Sequence, residues 1–133
     1  MAQPPKENRL LFPLTVGLLA WLIPGAGHFA LKERTRAIII LATIVPTFCA
    51  GLCIGSIGVI DTVEAPWYVY TAQIMTSPMV AFLAHLTAGG GYPAYGWPNE
   101  IGQIYTSTAG LLNLLCIVNA VYLAYLRTTE TGG

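Results

Sequence analysis

The stretch AIIILATIVPTFCAGLCIGSIGVI, residues 37–60, contains no charged side chain. A helix needs about 20 apolar residues to cross the hydrocarbon core of a bilayer, which is roughly 30 Å thick. Three further charge-free stretches, each also long enough for one crossing, are Leu10–Leu31, Ala65–Asn99 and Ile101–Leu126. The sequence therefore predicts an all-α integral membrane bundle of four transmembrane helices, at about residues 10–30, 38–60, 67–88 and 104–126.

The composition agrees with a membrane protein and excludes two other classes. Of the 133 residues, 55% are hydrophobic and 9% are charged, whereas a soluble domain carries about 25% charged residues. The net charge is zero, which argues against nucleic-acid binding and against a disordered chain. We expect one transmembrane domain over residues 10–127, between an N-terminal tail (1–9) and a C-terminal tail (128–133).

An alternative topology has three helices plus a re-entrant N-terminal hairpin that turns at Pro24-Gly25. Four crossings place three Lys/Arg residues on each side, whereas the hairpin places five on one side and one on the other, as the positive-inside rule favours. Geometry favours the full crossing, because Leu10–Ile23 descends about 21 Å and Gly25–Leu31 climbs back only about 10 Å. We expect no inverted repeat between residues 1–60 and 61–133.

Small and polar residues predict how the helices pack. Small residues at four-residue steps let helix backbones approach closely in lipid. They occur at Thr43, Thr47, Gly51 and Gly55, and again at Gly102, Thr106 and Gly110. We expect this packing interface either inside the bundle or against another subunit. Amides and hydroxyls within the spans are expected to bridge helices; they belong to Gln73, Thr76, Ser77, Asn113 and Asn119.

The segment Pro24-Gly25-Ala26-Gly27-His28 is the most distinctive motif. It resembles the Pro-Gly-x-Gly-His helix-turn signature of the two-helix transmembrane domain family, over residues 10–60. The segment Ile104–Leu115 is similar to the last helix of a small uncharacterised bacterial multi-pass family that combines both features. That family usually has an acidic residue where this chain has Asn119. The resemblance implies a membrane-embedded fold in the bacterial inner membrane, and it assigns no chemical activity.

The sequence contains little that points to catalysis. No carboxylate lies inside a predicted span, so we expect no enzyme activity. The alternative is haem, metal or chlorophyll-type pigment binding through His28 and His85, which four crossings would place at one membrane face. We expect neither a cofactor nor a metal site from the three cysteines, which suit apolar packing.

We therefore expect a non-catalytic accessory or structural subunit of a larger membrane complex, plausibly respiratory or photosynthetic. Its partners would be the lipid bilayer and other integral membrane subunits, which it would contact through helix packing. A further alternative is a small transporter or lipid-handling protein built around the mid-span prolines Pro46 and Pro78.

Overall fold

The computed structural model describes residues 6–56, 59–60, 66–87 and 97–130, and all the regular elements in these ranges are helices. In chain order they are α1 (Lys6–Leu22), α2 (Ala26–Ala30), α3 (Arg34–Gly55), α4 (Trp67–Ile74), α5 (Met79–Thr87) and α6 (Trp97–Glu130). Two of them, α3 and the Pro98–Glu130 part of α6, are long and apolar enough to cross a membrane. The predicted all-α class is confirmed for the described residues. Helices α1 and α6 extend into the predicted tails, whose outermost residues, 1–5 and 131–133, lie outside the described ranges.

The interior is rich in small and polar side chains, and many large apolar side chains lie on the surface. Alanines fill much of the core, at positions 20, 37, 84, 109, 120 and 124. Leu10, Leu14, Leu18 and Leu22 along one face of α1 are between 55% and 68% exposed. Lipid, unlike water, gives no hydrophobic drive between helices, so close packing of small residues holds them together. This distribution suits a bilayer as the solvent.

Helices α3 and α6 pack antiparallel through glycines. A Cβ atom added at Gly51 would lie 2.9 Å from the carbonyl oxygen of Gly102, and one added at Gly102 would lie 2.7 Å from that of Gly51. Gly55 faces the backbone of Pro98, one turn before Gly102, so the two helices run in opposite directions. Thr106 is buried against Gly51. These predicted packing residues therefore meet inside this chain.

Two further predicted packing residues, Thr43 and Thr47, do not take part in this contact. Thr43 is exposed and Thr47 is half-buried. Each hydroxyl donates to the carbonyl oxygen four residues earlier in α3, at 2.7 and 2.6 Å. Threonine can satisfy itself in this way in a helix without a neighbour, so the four-residue spacing alone did not indicate a contact.

The predicted helix over residues 10–30 is two antiparallel pieces. Helix α1 ends at Leu22, and the chain reverses at Pro24 and at Gly25, whose φ is 88°. Helix α2 then returns beside α1, because a Cβ atom at Gly27 would lie 2.7 Å from the Cβ atom of Ala20. Proline cannot donate to the preceding turn and glycine tolerates a positive φ, so this pair reverses the chain.

The predicted helix over residues 67–88 is also divided. Helix α4 ends at Ile74, and α5 begins only after Pro78. Val80 and Ala84 of α5 form a buried cluster with Ile60, against which Tyr70 of α4 packs. Helix α5 therefore runs back beside α4. The prediction of four continuous crossings is not confirmed. A hairpin followed by a long helix occurs twice in the described residues, first as α1, α2 and α3 and then as α4, α5 and α6. No inverted repeat is visible in the sequence.

Candidate functional site at the helix-end junction

Asn113 occupies the middle of α6, about equally far from its ends at Trp97 and Glu130. Its side chain is fully buried. Its Nδ2 atom donates to the carbonyl oxygens of Met75 and Thr76, both at 2.9 Å, and to that of Ala20 at 3.4 Å. One amide therefore joins α6 to the ends of α1 and α4. We call this region the central junction; it comprises residues 20–22, 73–77 and 106–113.

The ends of α1 and α4 also cap each other. Trp21 donates its Nε1–H to the carbonyl oxygen of Ile74 at 3.1 Å. In return, the Ser77 hydroxyl donates to the carbonyl oxygen of Leu22 at 2.9 Å. The last four carbonyls of any helix lack a donor within the helix. In hydrocarbon no water could supply one, so this exchange satisfies one carbonyl at each of the two adjacent helix ends.

Four side-chain oxygen atoms in the central junction are buried and have no hydrogen-bond partner among the described residues. Gln73 uses its Nε2 atom on the Thr106 hydroxyl, at 2.9 Å, and on the Val59 carbonyl, at 3.2 Å. Its Oε1 atom is buried and unpaired, as are Thr76 Oγ1, Ser107 Oγ and Asn113 Oδ1. Leaving a buried polar atom unpaired costs about 1–3 kcal/mol. The junction therefore leaves two amide oxygens and two hydroxyl groups unpaired.

The junction also contains the glycine at which an added Cβ atom would come closest to a neighbouring backbone atom, among the described glycines. A Cβ atom added at Gly110 would lie 1.7 Å from the carbonyl oxygen of Ala72. Gly110 thus brings α4 against α6, with Thr106 one turn before it and Asn113 one turn after it. Of the polar residues predicted to bridge helices, four lie at the junction: Gln73, Thr76, Ser77 and Asn113. The fifth, Asn119, is exposed.

His28 and His85 are not brought together. His28 is buried in α2, three residues before Leu31, whose carbonyl oxygen accepts from Arg127 near the C-terminal end of α6. His85 is exposed on α5, next to Ala84, which packs with Ile60 beyond the other end of α3. The described residues contain no group of three or more His, Cys, Asp or Glu that could hold a metal ion.

The helix-turn motif lies in the first hairpin, where Pro24, Gly25, Gly27 and His28 are all buried. The open end of this hairpin is fastened to α6 by Arg127, which donates to Leu31 and, at 2.9 Å, to Glu33 Oε1. Sequence reasoning missed Trp21 and Arg127, because their partners lie 53 and 94 residues away along the chain.

Comparison with known proteins gives one match. A protein-family model whose description assigns no function matches residues 15–130. The matched range contains both hairpins, apart from the first turns of α1, and both long helices. No curated protein and no solved structure matches the chain.

Proposed function

This chain belongs to the Family of unknown function (DUF6677), and because membership assigns no activity, we propose a function from the structure. The protein is a non-catalytic integral membrane subunit that packs against a transmembrane helix of another subunit. The observation that carries the proposal is Asn119, an exposed amide in the apolar part of α6. The proposed site of action is the bacterial inner membrane; the respiratory or photosynthetic complex stays a prediction.

In the proposed topology only α3 and α6 cross the bilayer. The first hairpin (α1 and α2) and the second hairpin (α4 and α5) enter from opposite faces and meet at the central junction. The charges support this arrangement, because the side with both chain ends then carries all six basic residues: Lys6, Arg9, Lys32, Arg34, Arg36 and Arg127. The opposite side carries Glu100, in the first turn of α6. The positive-inside rule then places the basic side in the cytoplasm.

Cysteine labelling tests this topology. In a variant without the three native cysteines, Thr35→Cys is expected to react from the cytoplasmic side and Pro66→Cys from the opposite side, with a membrane-impermeant reagent; both positions are exposed. A topology with four crossings would instead place residue 35 on the side opposite the C-terminus and the second labelled position on the same side as the C-terminus. A reporter fused after Gly133 provides the reference, because a single hairpin with three crossings would move the C-terminus away from Thr35. Either of these outcomes would contradict the proposed topology.

The proposed partner surface is the face of α6 around Asn119. Leu115, Val118 and Tyr122 surround it and are 59–66% exposed. Asn119 makes no hydrogen bond with any described residue, and it lies six residues, about 9 Å, from the level of Asn113. An unpaired amide at that depth is unfavourable in hydrocarbon.

A groove of about 450 Å³ lies next to this face, between α1 and α6. It is almost entirely apolar, and Val118 and Tyr122 line it together with Leu10 and Pro13. A partner helix could lay apolar side chains in this groove while one of its amides or hydroxyls pairs with Asn119. Interhelical hydrogen bonds of this kind stabilise helix association in lipid. The expected partner is therefore a transmembrane helix with one such polar side chain.

Photo-crosslinking in native membranes tests this surface. A photoreactive residue at Val118 is expected to give one discrete adduct, and Asn119→Leu to lower its yield about three- to twentyfold, because one interhelical hydrogen bond is worth about 0.6–1.7 kcal/mol. Asn119→Gln is the matched control, since it keeps the amide and is expected to keep the adduct. An adduct yield that is equal in all three proteins would refute a partner at this face.

A further inference from the structure

The corner between α2 and α3 carries three exposed cations, Lys32, Arg34 and Arg36, which we call the basic corner. Glu33 is the only carboxylate among them. Its Oε1 atom already accepts from Arg127 at 2.9 Å, and its Oε2 atom lies 3.9 Å from Arg36 Nε. Lys32 and Arg34 form no ion pair with any described residue. We propose that the basic corner binds the headgroup of one anionic phospholipid.

The basic corner lies at the depth of lipid headgroups. Helix α3, which is long and apolar enough to cross a membrane, begins at Arg34. Ile38 and Leu41 follow on the same face of the helix and are 60% and 43% exposed. In a bilayer this face is covered by acyl chains. A phospholipid whose phosphate group contacts Arg34 therefore lays an acyl chain along Ile38 and Leu41, which a soluble phosphate ion does not do.

The charges of the basic corner select an anion. The first turn of a helix favours negative charge, because its free N–H groups carry partial positive charge. In α3 this turn has no acidic residue, and it contains Arg34 and Arg36 instead. Glu33 is the N-cap residue, but its side chain makes no capping hydrogen bond. An anionic headgroup beside the two arginines removes this unfavourable accumulation of positive charge, and arginine binds phosphate groups through paired N–H···O bonds.

The backbone at Lys32 is a second, independent observation. Its φ is 62°, in the left-handed region that is unfavourable for a side chain. The N–H of Lys32 donates to the Phe29 carbonyl and that of Glu33 to the His28 carbonyl, both at 3.0 Å. In a helix end of this type, glycine usually takes the position of Lys32. Strained backbone conformations cluster at binding sites, and here the strained residue adds one positive charge to the basic corner.

Native mass spectrometry of the full chain in mild detergent tests the proposal, with phosphatidylglycerol and phosphatidylcholine of identical acyl chains as the two probes. We expect the first phosphatidylglycerol to bind at least tenfold more tightly than the first phosphatidylcholine. Arg34→Gln is expected to lower only the phosphatidylglycerol affinity, about fivefold for one basic residue. Pro66→Glu is the matched control, since it lowers the net charge equally at an exposed position of α4 and is expected to change neither affinity.

Lys32→Gly separates lipid binding from stability. Glycine relieves the positive φ, so the thermal unfolding midpoint in lipid-free detergent is expected to stay unchanged or to rise. The phosphatidylglycerol affinity is expected to fall about fivefold, because one positive charge is lost. A lysine with a purely structural role would not lower the affinity of a protein that remains equally stable.

Three results would overturn the proposal. The first is an equal affinity of the unmodified protein for the two lipids. The second is an equal phosphatidylglycerol affinity of Arg34→Gln and Pro66→Glu, which would mean that the basic corner has no special role. The third is full displacement of phosphatidylglycerol by excess inorganic phosphate, which would indicate a site for the free ion. None of these results depends on the partner surface around Asn119 or on the number of crossings.

Discussion

Gly110→Ala is expected to force α4 away from α6 and to be one of the most destabilising single-methyl additions to this chain. The new Cβ atom would lie 1.7 Å from the carbonyl oxygen of Ala72 and 2.8 Å from its carbonyl carbon. Both are backbone atoms, so no side-chain rotation relieves the overlap and the whole helix must move. Overpacking costs about 1–3 kcal/mol and occasionally more; we expect a loss of at least roughly 3 kcal/mol.

The movement would also break the polar contacts of the junction, since Gln73 and Thr76 belong to the same segment as Ala72. The measurement is the free energy of unfolding in mild detergent. Gly17→Ala is the matched control, because its Cβ atom meets only the end of the Val121 side chain, at 2.8 Å. That side chain can rotate, so we expect a change within about 1 kcal/mol. Similar losses for both variants would contradict the close approach of α4 and α6.

Gly25→Ala is expected to disrupt the first hairpin. The φ of 88° at this residue costs a side chain about 1–2 kcal/mol. In addition, the Cβ atom would lie 2.6 Å from the carbonyl oxygen of Ala37 on α3, and the overlap costs about 1–3 kcal/mol more. We expect a total loss of about 3 kcal/mol in the free energy of unfolding.

Gly25→Asn separates the two causes of this loss. Asparagine adopts positive φ more readily than alanine but has the same Cβ atom. Its loss should therefore lie between those of the unmodified protein and Gly25→Ala. If Gly25→Ala leaves the free energy of unfolding within about 0.5 kcal/mol of the original value, the size of a neutral surface substitution, the tight reversal is not required for stability.

The long helices were predictable because composition alone determines them. Charge-free stretches of sufficient length at residues 38–60 and 104–126 correspond to α3 and α6. The hairpins were not predictable from the same signal, because hydropathy measures the length of an apolar stretch and is blind to a reversal of direction. The sequence argument against the first hairpin compared the helical lengths of Leu10–Ile23 and Gly25–Leu31. It assumed that the returning segment regains the membrane surface by helical rise alone. In the structure the return continues to Glu33, where the Arg127 side chain reaches across to meet it.

The sequence indicated which polar residues form the candidate site, but not which segments of the chain they contact. The sequence indicated that Gln73, Thr76 and Asn113 bridge helices, but Asn113 contacts Ala20 across 93 positions of the chain. Asn113 and Asn119 are the same residue type in the same helix. A separation of six residues turns them to different sides of the helix, so one is buried and one is exposed. Only the packing of α1 and α4 determines which of them joins the junction.

The dependence of both hairpins on Asn113 has a consequence for biosynthesis. Among the described helices α6 is the last to be translated, and its midpoint leaves the ribosome after α1 to α5. Until then, the carbonyl oxygens of Met75 and Thr76 lack their donor, the Asn113 side chain. The helix surface at Gly110, against which α4 packs, has not yet been made either. Since chains begin to fold during synthesis, in the proposed topology the nascent protein carries two incompletely packed hairpins in the membrane until α6 is made. The chain is therefore expected to be most susceptible to membrane quality-control proteases in the interval before α6 is complete.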